Sequence, residues 1–364
     1  MRRIIIFSMA LFLLYLCTVS IGLLIPTVWQ QGGAIYYVKP GENAKTLIHD
    51  LASKHMIRFS SAFYLYVYFY PKVQLKTGEY VFKQWSTPYS IWQQVTHGYG
   101  LFYRAFTIVP GWSFKDLRRA LLQTSSFRHF LQQWDDQQLM ANLGYPNVSP
   151  EGQFFPETYY YAKDSLDLVI LKRAIDLMHQ RLNEAWEQRA PNLPFKNAYD
   201  VLIAASLVEK EAYFSFERPW IAGVLINRLN KNMLLQFDPT VIYGMGDLYK
   251  NKITKEDLRR DTAFNTYLHK GLPPTPIAMP SMASIEAVLH PTQHDYYYFV
   301  AVGDGRHQFS KSLNEHALAV TAYKNQKRDY FNMSLIRCYV EHLLPYSIQR
   351  QKHCTYLNKK QWLS

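Results

Sequence analysis

The 364 residues are enough for two or three domains, and with 48% hydrophobic and 16% aromatic residues they carry the apolar surface of packed cores, which excludes a largely disordered chain. Forty Lys and Arg against 28 Asp and Glu give +12 at pH 7, a balance that favours an anionic partner, membrane or nucleic acid. Three scattered cysteines, Cys17, Cys338 and Cys354, do not make a disulfide framework or a zinc site, so stability has to come from packing.

The first predicted element is an uncharged run from Ile4 to Ile25. Its 22 residues cover about 33 Å as a helix, enough for a hydrocarbon core of about 30 Å. Arg2 and Arg3 precede it and the next ionisable residue is Lys39, so the basic flank is expected in the cytoplasm and the rest outside, with Trp29 as an interfacial aromatic. The run exceeds the apolar region of an ordinary signal peptide and no small-x-small cleavage site follows, which favours a retained anchor. An exported chain does not meet the genome, so the positive charge points to membrane or cell wall and not to nucleic acid.

Further on, YYVKPGENAKTLIHDLASKHMI predicts a strand to Lys39, a Pro40-Gly41 turn and a helix capped by Asn43 that buries Leu47, Ile48 and Leu51. A strand from Tyr80 to Phe82 and a helix starting at Thr87-Pro88 complete a small α+β module over residues 35–103. FTIVPGWSFKDLRRALL repeats the strand, Pro-Gly turn and helix order, with Ser113 and Asp116 placed for a capping box. Beyond Glu151 come an aromatic run around Pro156, an amphipathic helix over 165–189 and an almost wholly apolar helix from Ala198 to Glu211. A Pro/Gly-rich loop over 270–281 and a hairpin turning at Gly303-Asp304-Gly305 follow. Strands and helices of mixed spacing predict an α+β fold.

P-loop, GxGxxG, GxSxG, HExxH and CxxC strings are absent, which leaves nucleotide, dinucleotide, serine-hydrolase, zincin and thioredoxin readings without carriers. His290 and His294 are four apart, but Pro291 interrupts a helix there and no carboxylate accompanies them, so no metal is expected. His307 reads as a strand residue with a satisfied ring. The strongest chemical candidate is the end of the apolar helix, Glu209-Lys210-Glu211, followed by Glu217. Glu211 shares a face with Ala204, Leu207 and Val208, whereas Glu209 lies about 200° round from it. A carboxyl at the edge of an apolar face is desolvated, which raises its pKa toward that of a general acid at neutral pH. On spacing alone, the same three residues also read as the solvated last turn of a helix.

The string SLVEKEAYFSFERPWIAGVLINRLNKNMLLQFDPTVIYGMG (206–246) resembles the hallmark of the MltG (YceG-like) endolytic murein transglycosylases, as do EGQFFPETYYY (151–161), FNTYLHKGLPPTPIA (264–278) and YYYFVAVGDGRHQFSKSLNEHALAV (296–320). That resemblance implies a single transmembrane helix (1–29), a LysM-like small α+β subdomain (35–103), a connecting α/β segment (104–150) and a mixed α+β catalytic domain (151–329). It implies Glu211 as the catalytic acid, with Glu217, Gln236, Asp238, Asn265 and Tyr267 lining a glycan cleft. No cofactor is implied.

The expected substrate is peptidoglycan, cleaved between N-acetylmuramic acid and N-acetylglucosamine to leave 1,6-anhydromuramyl ends near the cytoplasmic membrane, with peptidoglycan synthases and penicillin-binding proteins as partners. A non-catalytic glycan-binding scaffold and a hydrolytic muramidase using Glu211 with Glu217 or Asp238 are the competing classes. Ala212 stands where the family has Thr, and Met279-Pro280-Ser281 where it has Asn-Pro-Gly. Residues 330–364 form a basic extension beyond the resemblance, expected to rest on the membrane surface or the catalytic domain, in which Cys338 and Cys354 are able to pair outside the cytoplasm.

Overall fold

The computed structural model describes residues 2–26, 28, 33–57, 60–69 and 73–325. Trp29 and the whole 330–364 extension lie outside the described residues. The fold is mixed α+β and its chain divides into two compact units. One comprises Met1–Phe106, Ser125–Arg128 and Thr158–Leu166, and the other Thr107–Thr124, His129–Glu157 and everything from Asp167 onward.

The first unit opens with α1 (Arg2–Leu24), the one helix among the described residues long and apolar enough to cross a membrane. From Ile5 to Leu16 its large apolar side chains are exposed, as lipid-facing groups would be, and only its end, through Val19 and Leu23, joins the unit's core. There β1 (Ala34–Val38) pairs antiparallel with β2 (Gly78–Phe82), Tyr36 opposite Tyr80. Helix α2 (Ala44–Ser53) starts where Asn43 accepts the Thr46 N–H at 2.9 Å, and buries Leu47, Ile48 and Leu51. Helix α4 (Pro88–His97) begins with a reciprocal Thr87 and Ser90 cap and ends at Gly98 in the left-handed region. Between α2 and α4 lies α3 (Ser60–Tyr68), an element that the sequence pattern does not reveal because SSAFYLYVY has neither a polar face nor helical periodicity. Packing makes it a helix: Phe63 is fully buried, edge-on to Trp92. A second strand pair, β3 (Arg104–Thr107) with β4 (Thr158–Tyr161), closes this unit's list.

In the second unit the Pro110-Gly111 turn leads into α5 (Phe114–Gln123), capped reciprocally by Ser113 and Asp116. Then come α6 (Asp136–Asn142), α7 (Asp167–Glu187), α8 (Ala198–Glu211), α9 (Arg218–Asn230), α10 (Asp238–Met245) and α11 (Met282–Leu289). The hairpin β5 (Tyr298–Ala301) and β6 (His307–Ser310) follows, and the chain is helical again over 313–325. Helix α8 is the core element. Every residue from Val201 to Val208 is buried, in contact with α7, α9, α10 and α11. A helix apolar all round survives only when surrounded in this way. It starts at Asn197, which accepts the Asp200 N–H, and stops at Ala212, whose backbone is extended.

Candidate active site

The last turn of α8 carries the three charged residues, and the fold sends each in a different direction. Lys210 reaches the Gly111 carbonyl at 3.2 Å. That turn also exchanges two backbone bonds with the 270–281 loop: Gly111 N–H to the Met279 carbonyl and Met279 N–H to the Trp112 carbonyl, both 2.8 Å. Gly111 sits at φ +81°, where a side chain is disfavoured, so this contact depends on the glycine. Met279 buries its side chain completely.

Glu209 is not solvated. Its side chain is 6% exposed and its carboxylate accepts the Ser281 N–H (2.9 Å), the Ser281 hydroxyl (2.5 Å), the Ser284 hydroxyl (2.7 Å) and Arg218 Nη2 (3.2 Å). Ser281 is the residue before the first turn of α11, so Glu209 supplies the negative charge that this helix N-terminus favours. Burial pushes its pKa up, but the two hydroxyls, the Ser281 N–H and Arg218 outweigh that and hold it below the usual carboxylate range. The reading of this turn as a solvated helix end therefore does not hold for Glu209, while Lys210 is exposed. The Ser281 hydroxyl is one of the groups that make Glu209 a fixed anion.

Glu211 is half-buried and its carboxyl has no hydrogen-bond partner among the described residues. Burial first, and the charge of Asp238 second, push its pKa up to about 8. It is protonated at neutral pH with its proton uncommitted, the state a general acid requires.

Asp238 is the first residue of α10 and accepts the Tyr267 hydroxyl at 2.5 Å; burial first, then Asp238 and last the charge of Glu211 raise the Tyr267 pKa. Gln236 is exposed beside them at φ +53°. Two anchors hold this segment. Thr266 O accepts the Gln236 N–H (3.0 Å) and Thr266 Oγ1 accepts the Phe237 N–H (3.0 Å). Arg228, buried in α9, donates through Nη1 to the carbonyls of Leu234 and Leu235 and to Gln236 Oε1, and through Nε to the Tyr297 carbonyl at 2.6 Å. Asn265 is fully buried. Its amide donates to the Leu258 and Arg260 carbonyls and its oxygen accepts the Tyr267 N–H at 2.9 Å, an Asx turn that presents Tyr267.

Glu217 is buried elsewhere in the unit, with both oxygens engaged by His307, the N–H at 2.8 Å and the ring at 2.9 Å. The fold thus groups Glu211, Asp238, Tyr267 and Gln236, uses Asn265 to shape their loop, and uses Glu217 to hold the hairpin. Arg228 and Thr266 escape notice in the sequence; the one signal for Arg228 is an Asn-Arg pair inside an otherwise apolar helix. Of the two histidines, His290 ends α11 and His294 stacks on Trp220 with its ring nitrogens near Trp220 O and Tyr296 N.

Comparison with known proteins places this arrangement. The model of the YceG-like family matches residues 36–322. The chain belongs to the YceG-like family. An endolytic murein transglycosylase of Bacillus subtilis is 28% identical over 308 residues, 80% of this chain and 85% of that protein. One from Streptococcus pneumoniae is 33% identical over 183 residues, 49% of this chain but 33% of its own longer length. The crystal structure of a YceG-like protein from Listeria monocytogenes superposes with a TM-score of 0.51 at 26% identity, covering 80% of this chain and all of that one. Homology to murein transglycosylases therefore extends over most of this YceG-like chain.

Proposed function

We propose that this YceG-like protein is a membrane-anchored lytic transglycosylase that cuts nascent peptidoglycan strands internally, with Glu211 as both acid and base. The observation that carries the reading is Glu211 itself, half-buried, unbonded and protonated near pH 7 beside Asp238. In the first step its O–H protonates the oxygen bridging N-acetylmuramic acid and N-acetylglucosamine, and the C1–O bond breaks with the electron pair leaving on that oxygen. The carboxylate so formed takes the proton of the muramyl C6 hydroxyl, whose oxygen bonds to C1. Water is not consumed, and the products are a 1,6-anhydromuramyl end and a free N-acetylglucosamine hydroxyl. The attacking hydroxyl belongs to the same sugar, so proximity replaces a second carboxylate. Burial, with the charge of Asp238 added to it, keeps Glu211 in its acid form, and Gln236 stands where it can bind sugar hydroxyls.

In this reading α1 is a retained anchor in the cytoplasmic membrane, the 35–103 module is LysM-like and grips glycan, and the partners are the membrane-bound peptidoglycan synthases and penicillin-binding proteins. The deciding experiment is mass spectrometry of fragments released from purified, un-cross-linked strands. Anhydro ends from the wild type and none from Glu211→Gln support the proposal. Reducing ends would mean a hydrolytic muramidase, for which Asp238 is the available second carboxylate because both Glu217 oxygens are bonded to His307. No fragments at all would mean a scaffold.

A further inference from the structure

We infer that a stripe of aromatic rings beginning two residues beyond Glu211 is a second glycan-binding subsite, stacking pyranose rings of the strand being cut. The inference rests on the reading that the substrate is a glycan. Tyr213 and Phe214 meet edge to face at 4.9 Å, and Phe214 stacks on Phe216 at 5.5 Å. The stripe continues into a hollow of roughly 300 Å³ lined by Phe216, Glu217, Trp220, Tyr296 and Phe309. Tyr213 is 77%, Phe216 61% and Trp220 37% exposed, whereas the other described Phe, Tyr and Trp residues of this unit are buried or half-buried.

These rings are held, not loose. His294 stacks parallel to Trp220 at 5.3 Å. Asn227 of α9 fixes the 294–296 backbone by donating to the carbonyls of His294 and Tyr296. Gly223 lets α9 approach that segment, where a Cβ would come within 2.6 Å of Thr292 O. Glu217 clamps His307 at the start of β6, and Gly305, at φ +85°, leaves room against Tyr213 that a side chain would take. An array of exposed aromatics maintained by this many polar ties is a preformed surface.

The chemistry of the hollow selects sugar over its competitors. The C–H faces of a pyranose pack against aromatic faces, and the polar tips of Tyr and Trp serve its hydroxyls. The Tyr296 hydroxyl has no partner among the described residues. The one charged group lining the hollow is the Glu217 carboxylate, and no Lys or Arg lines it, whereas an anionic lipid headgroup needs cations. Phe216 lies five positions after Glu211 in the chain, so the two Cα atoms lie within about 17 Å, a reach of a few sugar units.

The test uses the full-length chain in the Glu211→Gln background, so that strands bind without being cut. Affinity for purified, un-cross-linked glycan strands is expected to fall roughly tenfold with Trp220→Ala and by a smaller factor with Phe216→Ala. Phe216 is the safer probe, since it is exposed on a short turn and its truncation leaves the Trp220 and His294 stack intact. With Glu211 present, the same variants should raise KM more than they lower kcat. Unchanged strand affinity in both variants overturns the subsite. So does quenching by brominated lipid in reconstituted vesicles that is lost with Trp220→Ala while strand affinity is kept, which would assign the stripe to the membrane. Failure of the transglycosylase reading looks different: wild type yields no anhydro ends, whatever the stripe variants do.

Discussion

Glu209 and Glu211 end the same helix, one residue apart, and the fold puts them in opposite states. Glu209 receives four donors, from Ser281 twice, Ser284 and Arg218, and is held as an anion. Glu211 receives none among the described residues, faces the charge of Asp238, and is held as an acid. Both are desolvated, so burial alone does not decide what a carboxyl does. The partners do: hydrogen-bond donors turn burial into an anchored charge, and their absence turns it into an available proton. The comparison also places the work of the turn, with Glu209 fixing where the helix ends against α11 and Glu211 presenting the proton from that fixed point.

The largest expected effect tests the Glu211 half. Glu211→Gln keeps the size of the side chain and removes both of the proton transfers proposed for it, so turnover should fall by about 10⁴ or more. Folding should be unharmed. Because its folded pKa is raised, Glu211 adds no penalty below its unfolded value of about 4.5, and costs stability increasingly as the pH rises toward and through about 8. Between pH 5 and pH 9 the wild type should therefore lose more stability than Glu211→Gln, by on the order of 2 kcal/mol once solvent access to a half-buried carboxyl is discounted. Melting curves of both proteins at the two pH values check this, and equal losses would break the contrast.

The Glu209 half predicts a stability phenotype. Glu209→Ala leaves the partly buried Arg218 with its charge uncompensated and three donors unpaired, at a cost of about 3 kcal/mol. Glu209→Gln costs less but puts an amide N–H₂ among donors. Activity should fall in both because Glu211 loses its fixed base, and it should fall in step with the melting temperature. A Glu209→Gln protein that melts like wild type and makes no product would exchange the two roles.

How much of this was legible in the sequence depends on how far apart the partners are. Helix α8 runs over Ala198–Glu211, as its apolar run indicates, and the candidacy of Glu211 follows from its face on that helix. The caps at Asn43, Thr87 and Ser113 are equally local and stand where their spacing puts them. The state of Glu209 was hidden because it is set by Ser281 and Ser284, more than seventy residues on. Glu217 and His307 meet across 90 residues, and Arg228 and Tyr297 across 69. Helix α3 was hidden for another reason: nothing in its composition separates helix from strand, and it is the burial of Ala62, Phe63 and Val67 against the rest of the unit that favours the helix.

A middle-sized effect sharpens the cause of the Glu211 shift. Asp238→Asn removes the second contribution and leaves burial, the larger one. The alkaline limb of kcat/KM, which follows loss of the acid form of Glu211, should move toward acid pH while staying above the ordinary carboxylate range. Tyr267 loses its charged acceptor in the same variant, so the pH profile should be compared with that of Tyr267→Phe, which keeps the Asp238 charge. The wild-type limb in Asp238→Asn would show that the Asp238 charge does not reach Glu211.

The smallest effect is expected at Ser281. Ser281→Gly deletes one of the two hydroxyls on Glu209, leaving the backbone N–H of residue 281, Ser284 and Arg218 in place. A hydrogen bond to a charged acceptor is worth about 1.5–3 kcal/mol, but glycine also tolerates the start of a helix well, so the net loss should be about 1 kcal/mol. The pKa of Glu209 should rise toward the ordinary range while that of Glu211 stays where it is, because the Ser281 hydroxyl touches only the first of the two. A stability curve for Ser281→Gly that falls less steeply than wild type below about pH 5, because the folded pKa of Glu209 lies closer to its unfolded value, with an unchanged alkaline limb of activity, would show the two carboxyls titrating separately with one residue between them. A shift of the alkaline limb in this variant would instead mean that the anchored glutamate and the acid share one electrostatic environment, and the division of labour drawn between them would fail.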